Sequence, residues 1–225
     1  MRVIDRRAAA LAACALALTA GSVSASGADE VLRAWRSGFK ELPGVAVRVH
    51  SFETTQEVYR AVTGADPSRW KGPRNSVEMV SWDDATGFCR RATALLRAAK
   101  LIADEQEVRL PTEAEWEAAC RAGSATAYSF GEDPALLGEF AWFSGNAAGN
   151  DPPVGAKRPN AWGLYDLHGY VWEWCADDSG ASRVVRGGAW TSSAGECRSD
   201  SRKVAERDVR RPDVGFRCVL ASGRR

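Results

Sequence analysis

The stretch from Asn160 to Arg198 constrains this chain more than any other. It reads N-A-W-G-L-Y-D-L-H-G-Y-V-W-E-W-C, a short loop, then R-V-V-R-G-G-A-W-T-S-S-A-G-E-C-R. Three of the nine tryptophans, Trp162, Trp172 and Trp174, stand in its first half with Asp166 and Glu173 set among them. Rings interleaved with acids match neither a helical period of 3.6 nor a clean strand period of 2, so something other than regular structure is expected to hold the segment. A metal is one candidate. Asp166, Gly169, Val171 and Glu173 can turn two carboxylates and two backbone carbonyls toward one point, an all-oxygen set that suits a hard cation such as calcium. The plainer alternative is a rim of acids around buried indoles.

The 225 residues suit one domain with a proper core. Thirty basic and 29 acidic residues leave a formal charge of +1, too small a field to steer a polyanion, so nucleic acid is not an expected partner. The chain opens M-R-V-I-D-R-R, continues with an apolar run from Ala8 to Ala20 that is too short to span a bilayer, and then turns to small residues, S-V-S-A-S. That order predicts a secretory signal peptide over 1–25, cut near Ala25, and an exported protein, periplasmic or secreted. Without Cys14 five cysteines remain: Cys89, Cys120, Cys175, Cys197 and Cys218. Their number allows two bridges and one thiol in an oxidising compartment, and no C-x-x-C suggests zinc or a thioredoxin-like site.

Residues 26–44 carry a little helical pattern (Val31, Leu32, Trp35) and are expected to form a surface lead-in to a domain over 45–221, with 222–225 as a tail. Val45, Val47 and Val49 alternate as in a half-buried strand. Thr54 or Thr55 can cap a short helix through Val58, Tyr59 and Val62 that ends at Gly64. Ser81 with Asp84, and Thr112 with Glu115, are capping boxes that open two longer helices. The first buries Ala85, Phe88, Cys89, Ala92, Leu95, Leu96 and Ala99; the second buries Trp116, Ala119 and Cys120. Residues 124–159 show no sustained period, and so long an irregular region needs an anchor. Val184–Arg186 and Phe216–Leu220 read as strands, with R-R-P-D as the turn before the last.

Several motifs now agree in order. V-S-W-D-D-A-T-G-F-C, R-L-P-T-E-A-E-W-E-A-A-C-R-A-G, Y-S-F-G, N-A-W-G-L-Y-D, V-W-E-W-C, R-G-G-A-W and D-V-G-F-R-C resemble the formylglycine-generating enzyme (sulfatase-modifying factor) family from about Val45 to Leu220. The resemblance implies an α+β, C-type-lectin-like fold with little regular structure, and calcium at the Asp166–Glu173 positions, although Tyr170 stands where the family pattern has Asn. It also implies a bridge between Cys89 and Cys218, which leaves Cys175 and Cys197 for a second and Cys120 as a buried thiol.

In the oxidases of the family, a G-G-S strand supplies two cysteine thiolates that hold copper(I) and convert a sulfatase cysteine to formylglycine. Here Ala189 replaces the serine and Ser192 replaces the first cysteine, leaving Cys197. A hydroxyl is a hard, protonated, weak ligand where copper(I) wants a second soft thiolate, so copper-dependent oxidation is expected to be absent or severely impaired. Two functions stay open. One is an enzyme-derived pocket acting on or near a peptide or small molecule, with Ser192 and Cys197 as its catalytic candidates and Glu196, Arg198 and Asp200 beside them. The other is a binding module that presents Trp190 as an aromatic anchor, with Arg198 and Arg202 as polar partners. Surface ion pairing is the plain alternative for Glu196, Arg198 and Asp200, and core packing for Trp190.

Overall fold

Local signals in the sequence place the helices. The computed structural model describes residues 25–147 and 152–223. The expected signal segment through residue 24, with Cys14, and tail residues 224–225 lie outside them. Thr55 caps α2 (Gln56–Thr63) and Gly64, at φ 77°, closes it. Both capping boxes form: Ser81 with Asp84 at the start of α3 (Trp82–Ala98), and Thr112 with Glu115 at the start of α4 (Glu113–Arg121). The inner face of α3 is as expected except at Leu95, which is exposed, and Ala99, which is half-buried and caps the helix end, while Thr93 is buried.

The lead-in is a correction. Residues 25–44 hold α1 (Ala25–Ser37) and β1 (Phe39–Glu41), and Leu32, Trp35 and Phe39 are buried in the main core. Three buried apolar side chains make this segment part of the domain rather than a surface approach to it.

Two four-stranded sheets organise the remainder. The first has the order β1-β2-β8-β3, all antiparallel, from β2 (Arg48–His50), β3 (Gln106–Arg109) and β8 (Val219–Ser222). The last strand therefore lies between two early ones and ties the ends of the chain together, and it runs one residue past the expected domain limit at 221. The second has the order β6-β5-β4-β7, from β4 (Trp172–Ser179), β5 (Ser182–Arg186), β6 (Arg202–Glu206) and β7 (Val214–Gly215), with β4 and β7 parallel. Apart from a 3-10 turn at Pro134–Leu136 and α5 (Leu137–Phe140), residues 124–147 and 152–159 are irregular, as expected.

The stretch that fitted no period is β4. Trp172, Glu173, Trp174 and Cys175 are all buried, because a strand flanks β4 on each side and packing covers both faces. Trp172 and Trp174 enter the core that contains Phe88 and Phe216. Cys175 enters a second core with Trp116, Cys120 and Leu167. Alternation is present, but it separates indoles from a buried acid and a thiol rather than apolar from solvated residues.

Candidate functional site

Glu173 is the polar hinge between those two cores. Arg217, fully buried, donates to it from Nε and Nη2 at 2.7 Å each, and Trp116 Nε1 donates at 2.7 Å. Arg217 also donates to the carbonyls of His50, Ser51 and Tyr165, which draws two further segments of chain around one guanidinium. Such a bidentate, charge-assisted pair is fixed in geometry as well as strong.

Asp166 stands nearby at φ 60°, a left-handed conformation uncommon for a side chain other than glycine. Its Oδ2 accepts from the Gly155 N–H at 2.6 Å, while its buried Oδ1 has no hydrogen-bond partner. Burial is the main reason its carboxyl is pushed up to about 6. Tyr170 fills its own position with a ring, its hydroxyl donating to Pro152 O at 2.6 Å and accepting from the Ser76 N–H. The calcium set implied by the resemblance therefore does not fit as a group. Asp166 offers an open oxygen, but both oxygens of Glu173 are committed to Arg217 and Trp116.

The segment expected as the catalytic strand follows β5 and is a turn leading into a 3-10 helix at Ala194–Cys197. Gly187 and Gly188 have φ of 98° and 82°. A Cβ on Gly188 would lie 2.7 Å from Cys197 Sγ, so the bare backbone is what lets the sulfur approach. Cys197 is fully buried with Ala127, Tyr128, Leu137 and Ala141, and burial pushes its thiol up to about 12. Ser192 is almost fully buried, and its hydroxyl accepts the Ala189 N–H at 3.1 Å. One protonated thiol and one structural hydroxyl do not fit copper(I).

Ser192 does border a cleft of about 100 Å3. Its other walls include Trp172, Thr191, Glu196, Lys203, Arg211 and Asp213. Lys203 Nζ lies 4.7 Å above the Trp172 ring and pairs with Glu196, whose carboxyl is held down to about 2 chiefly by that lysine. Arg211 and Thr191 both bond to Asp213. Beside this cleft Trp190 is half-buried, bonded through Nε1 to Pro212 O and set edge-on to the exposed Trp70 at 5.5 Å.

The structure thus gathers Ser192 and Glu196 at one cleft with Trp190 beside it, and separates the other candidates. Arg198 pairs with Asp200, and Arg202 pairs with Glu113, both at the surface. Cys197 does not line the cleft. Cys89 Sγ and Cys218 Sγ are neighbours at 3.8 Å, as free thiols. Cys175 and Cys197 lie in different clusters, so the second expected pairing is not supported. Cys120 is buried beside His168. Sequence reasoning missed Lys203, Arg211, Asp213, Trp172 and Trp70. The R-R-P-D turn and the alternation of R-K-V-A-E were the available signals for the first three.

One antiparallel and one mixed sheet joined by long irregular segments around a buried Glu–Arg pair define an α+β, C-type-lectin-like domain. Residues 17–222 match the sulfatase-modifying factor enzyme 1-like domain, and the chain belongs to that family. It is 32% identical to the formylglycine-generating enzyme of Streptomyces coelicolor over 72% of this chain and 57% of that protein. It is 34% identical to the inactive C-alpha-formylglycine-generating enzyme 2 of Bos taurus over 64% of this chain and 50% of that one. Among solved structures, Treponema denticola variable protein 1 superposes with a TM-score of 0.71 at 30% identity, covering 78% of this chain and 84% of that one. The chain spans about half the length of these curated relatives.

Proposed function

We propose that this protein is an exported binding member of its family that has lost copper-dependent conversion of cysteine to formylglycine. Its cleft beside Ser192 receives a polar side chain of a peptide, or a small polar molecule, while Trp190 and Trp70 cover the flanking apolar part. The observation that carries the reading is at the turn after Gly188: Ser192 spends its hydroxyl on the Ala189 backbone, and Cys197 is a closed-in thiol. An aromatic anchor beside convergent charged groups is the usual make-up of a recognition surface. Export is supported by the basic start, the apolar run over 8–20 and the small residues after it. Among the described residues no helix is long and apolar enough to cross a membrane.

Incubation with a C-x-P-x-R peptide, copper(I) and oxygen, followed by mass spectrometry, tests the loss of oxidation. The peptide mass is expected to stay unchanged; aldehyde formation overturns the proposal. A displayed random peptide library tests binding. Wild-type protein should enrich a related set of sequences, and Trp190→Ala and Lys203→Ala should each weaken that enrichment about tenfold. Equal enrichment by all three proteins would contradict the cleft assignment.

A further inference from the structure

The outer strands of a sheet expose main-chain groups that can pair with another chain, and this fold protects most of its edges. α3 covers β3: Arg97 donates to Gln106 O at 3.1 and 2.8 Å, and Thr93 exchanges hydrogen bonds with the main chain of Val108. β7 is two residues long and buried, and β1 is three residues long with Phe39 in the core. β6 differs. It is the outer strand of its sheet, pairs with β5 along all five of its residues, and leaves Arg202, Lys203, Val204 and Glu206 exposed. Among the described residues no group outside β5 bonds to its main chain from 202 to 205. Val204, 49% exposed, is the most exposed large apolar side chain among those residues.

The strand reads R-K-V-A-E, which is charge-complementary to itself when reversed. We propose that β6 pairs antiparallel with β6 of a second copy, Val204 against Val204, joining two four-stranded sheets into one of eight strands about a two-fold axis. Alternation puts Arg202, Val204 and Glu206 on one face of the strand. In this register Arg202 of each copy stands opposite Glu206 of the other, so one apolar pair is flanked by two opposite-charge pairs. Other pairings are worse. Centring on Lys203 sets two lysines opposite each other, and a parallel arrangement sets Arg202 against Arg202 and Glu206 against Glu206. Edge lysines ordinarily discourage pairing, but Lys203 is held by Glu196 over the Trp172 ring and would stand opposite Ala205 of the other copy. Arg202 can turn to a new partner because Glu113, which it now meets, is also held by Arg186. Five residues make a short seam, so the dimer is expected to be concentration-dependent. Lys203, Val204 and Ala205 also line the cleft beside Ser192, which sets the second copy at its rim. The pairing does not depend on what that cleft holds.

Sedimentation velocity of the full chain, from low micromolar to near-millimolar concentration, tests it. The wild type should pass from monomer to dimer as concentration rises. Val204→Lys sets two like charges at the centre of the seam, and Glu206→Arg sets arginine against arginine on both sides; each should weaken association by roughly tenfold or more. Both change exposed side chains, so their melting temperatures at low concentration should match that of the wild type. Arg202→Glu alone should also remain monomeric, while an equimolar mixture of Arg202→Glu and Glu206→Arg chains restores opposite charges on both sides and should dimerise. A wild type that stays monomeric throughout overturns the proposal. So does a dimer that Val204→Lys and Glu206→Arg leave as strong as before, a result that decides the matter even if Arg202→Glu fails to fold.

Discussion

Ser192 is where the chemistry of the family turns on a single atom. Its oxygen accepts the Ala189 N–H from a nearly buried position, so its role in this chain is to hold the turn after Gly188. Ser192→Ala leaves that backbone donor without its partner and should cost about 1 to 3 kcal/mol in urea unfolding. A cost near zero would show that the hydroxyl is dispensable to the fold. Glu173 bears more. Glu173→Ala strands the buried Arg217 guanidinium and should cost about 3 to 5 kcal/mol, read as a lower denaturant midpoint. Replacing Glu173 by Gln retains an acceptor for Trp116 and should cost less than Ala does. At this scale the sequence shows which residue types are present but not which atoms are already committed. Nothing in V-W-E-W-C announces that Glu173 faces Arg217, 44 residues further on.

The helices were legible because their boundaries depend on residues three or four apart. Ser81 with Asp84 and Thr112 with Glu115 act locally, and both boxes form as read. Ser81→Ala should cost about 1 kcal/mol, measured by thermal or urea unfolding. The strands were less legible because their partners are distant. β4 hides its alternation by burying a carboxylate and a thiol on one face, and α1 looks solvated until Trp35 is seen against Phe88. The cleft was half legible for the same reason. Ser192 and Glu196 follow the Gly-Gly strand directly, whereas Lys203 arrives from β6 and Asp213 from the turn before β7. Gly188 gives a test of the element that carries Ser192. Gly188→Ala forces a Cβ into a left-handed backbone and against the Cys197 sulfur, and should destabilise by more than about 1 kcal/mol.

At the scale of the whole molecule, two buried histidines link stability to pH. His50 and His168 are lowered to about 4, in both cases first by burial. Each therefore stays neutral in the folded chain while the unfolded chain takes up a proton below about pH 6.5. Stability is full above that value and is lost as the pH falls through 6.5 toward 4, by an order of about 3 kcal/mol per histidine. The buried carboxyls of Asp166, pushed up to about 6, and Glu53, also pushed up, work in the opposite direction over this range. The histidine part is therefore read by difference: across pH 4 to 7.5 the melting temperature of His168→Gln should fall less, or rise more, toward acid than that of the wild type, and identical pH dependence in the two would contradict it. His168 joins residues 129 and 197 by hydrogen bonds, and His50 joins α1 to Phe52. Acid would thus loosen the irregular segments around the cleft and the N-terminal helix together. On the proposed reading, the fold keeps its Glu–Arg core and lacks the sulfur pair. X-ray absorption at the copper edge after stoichiometric copper(I) addition tests it most directly. The expected spectrum shows no ion held by two protein sulfurs, in the wild type or in Cys197→Ser; a linear two-sulfur copper site that disappears in Cys197→Ser would contradict the account.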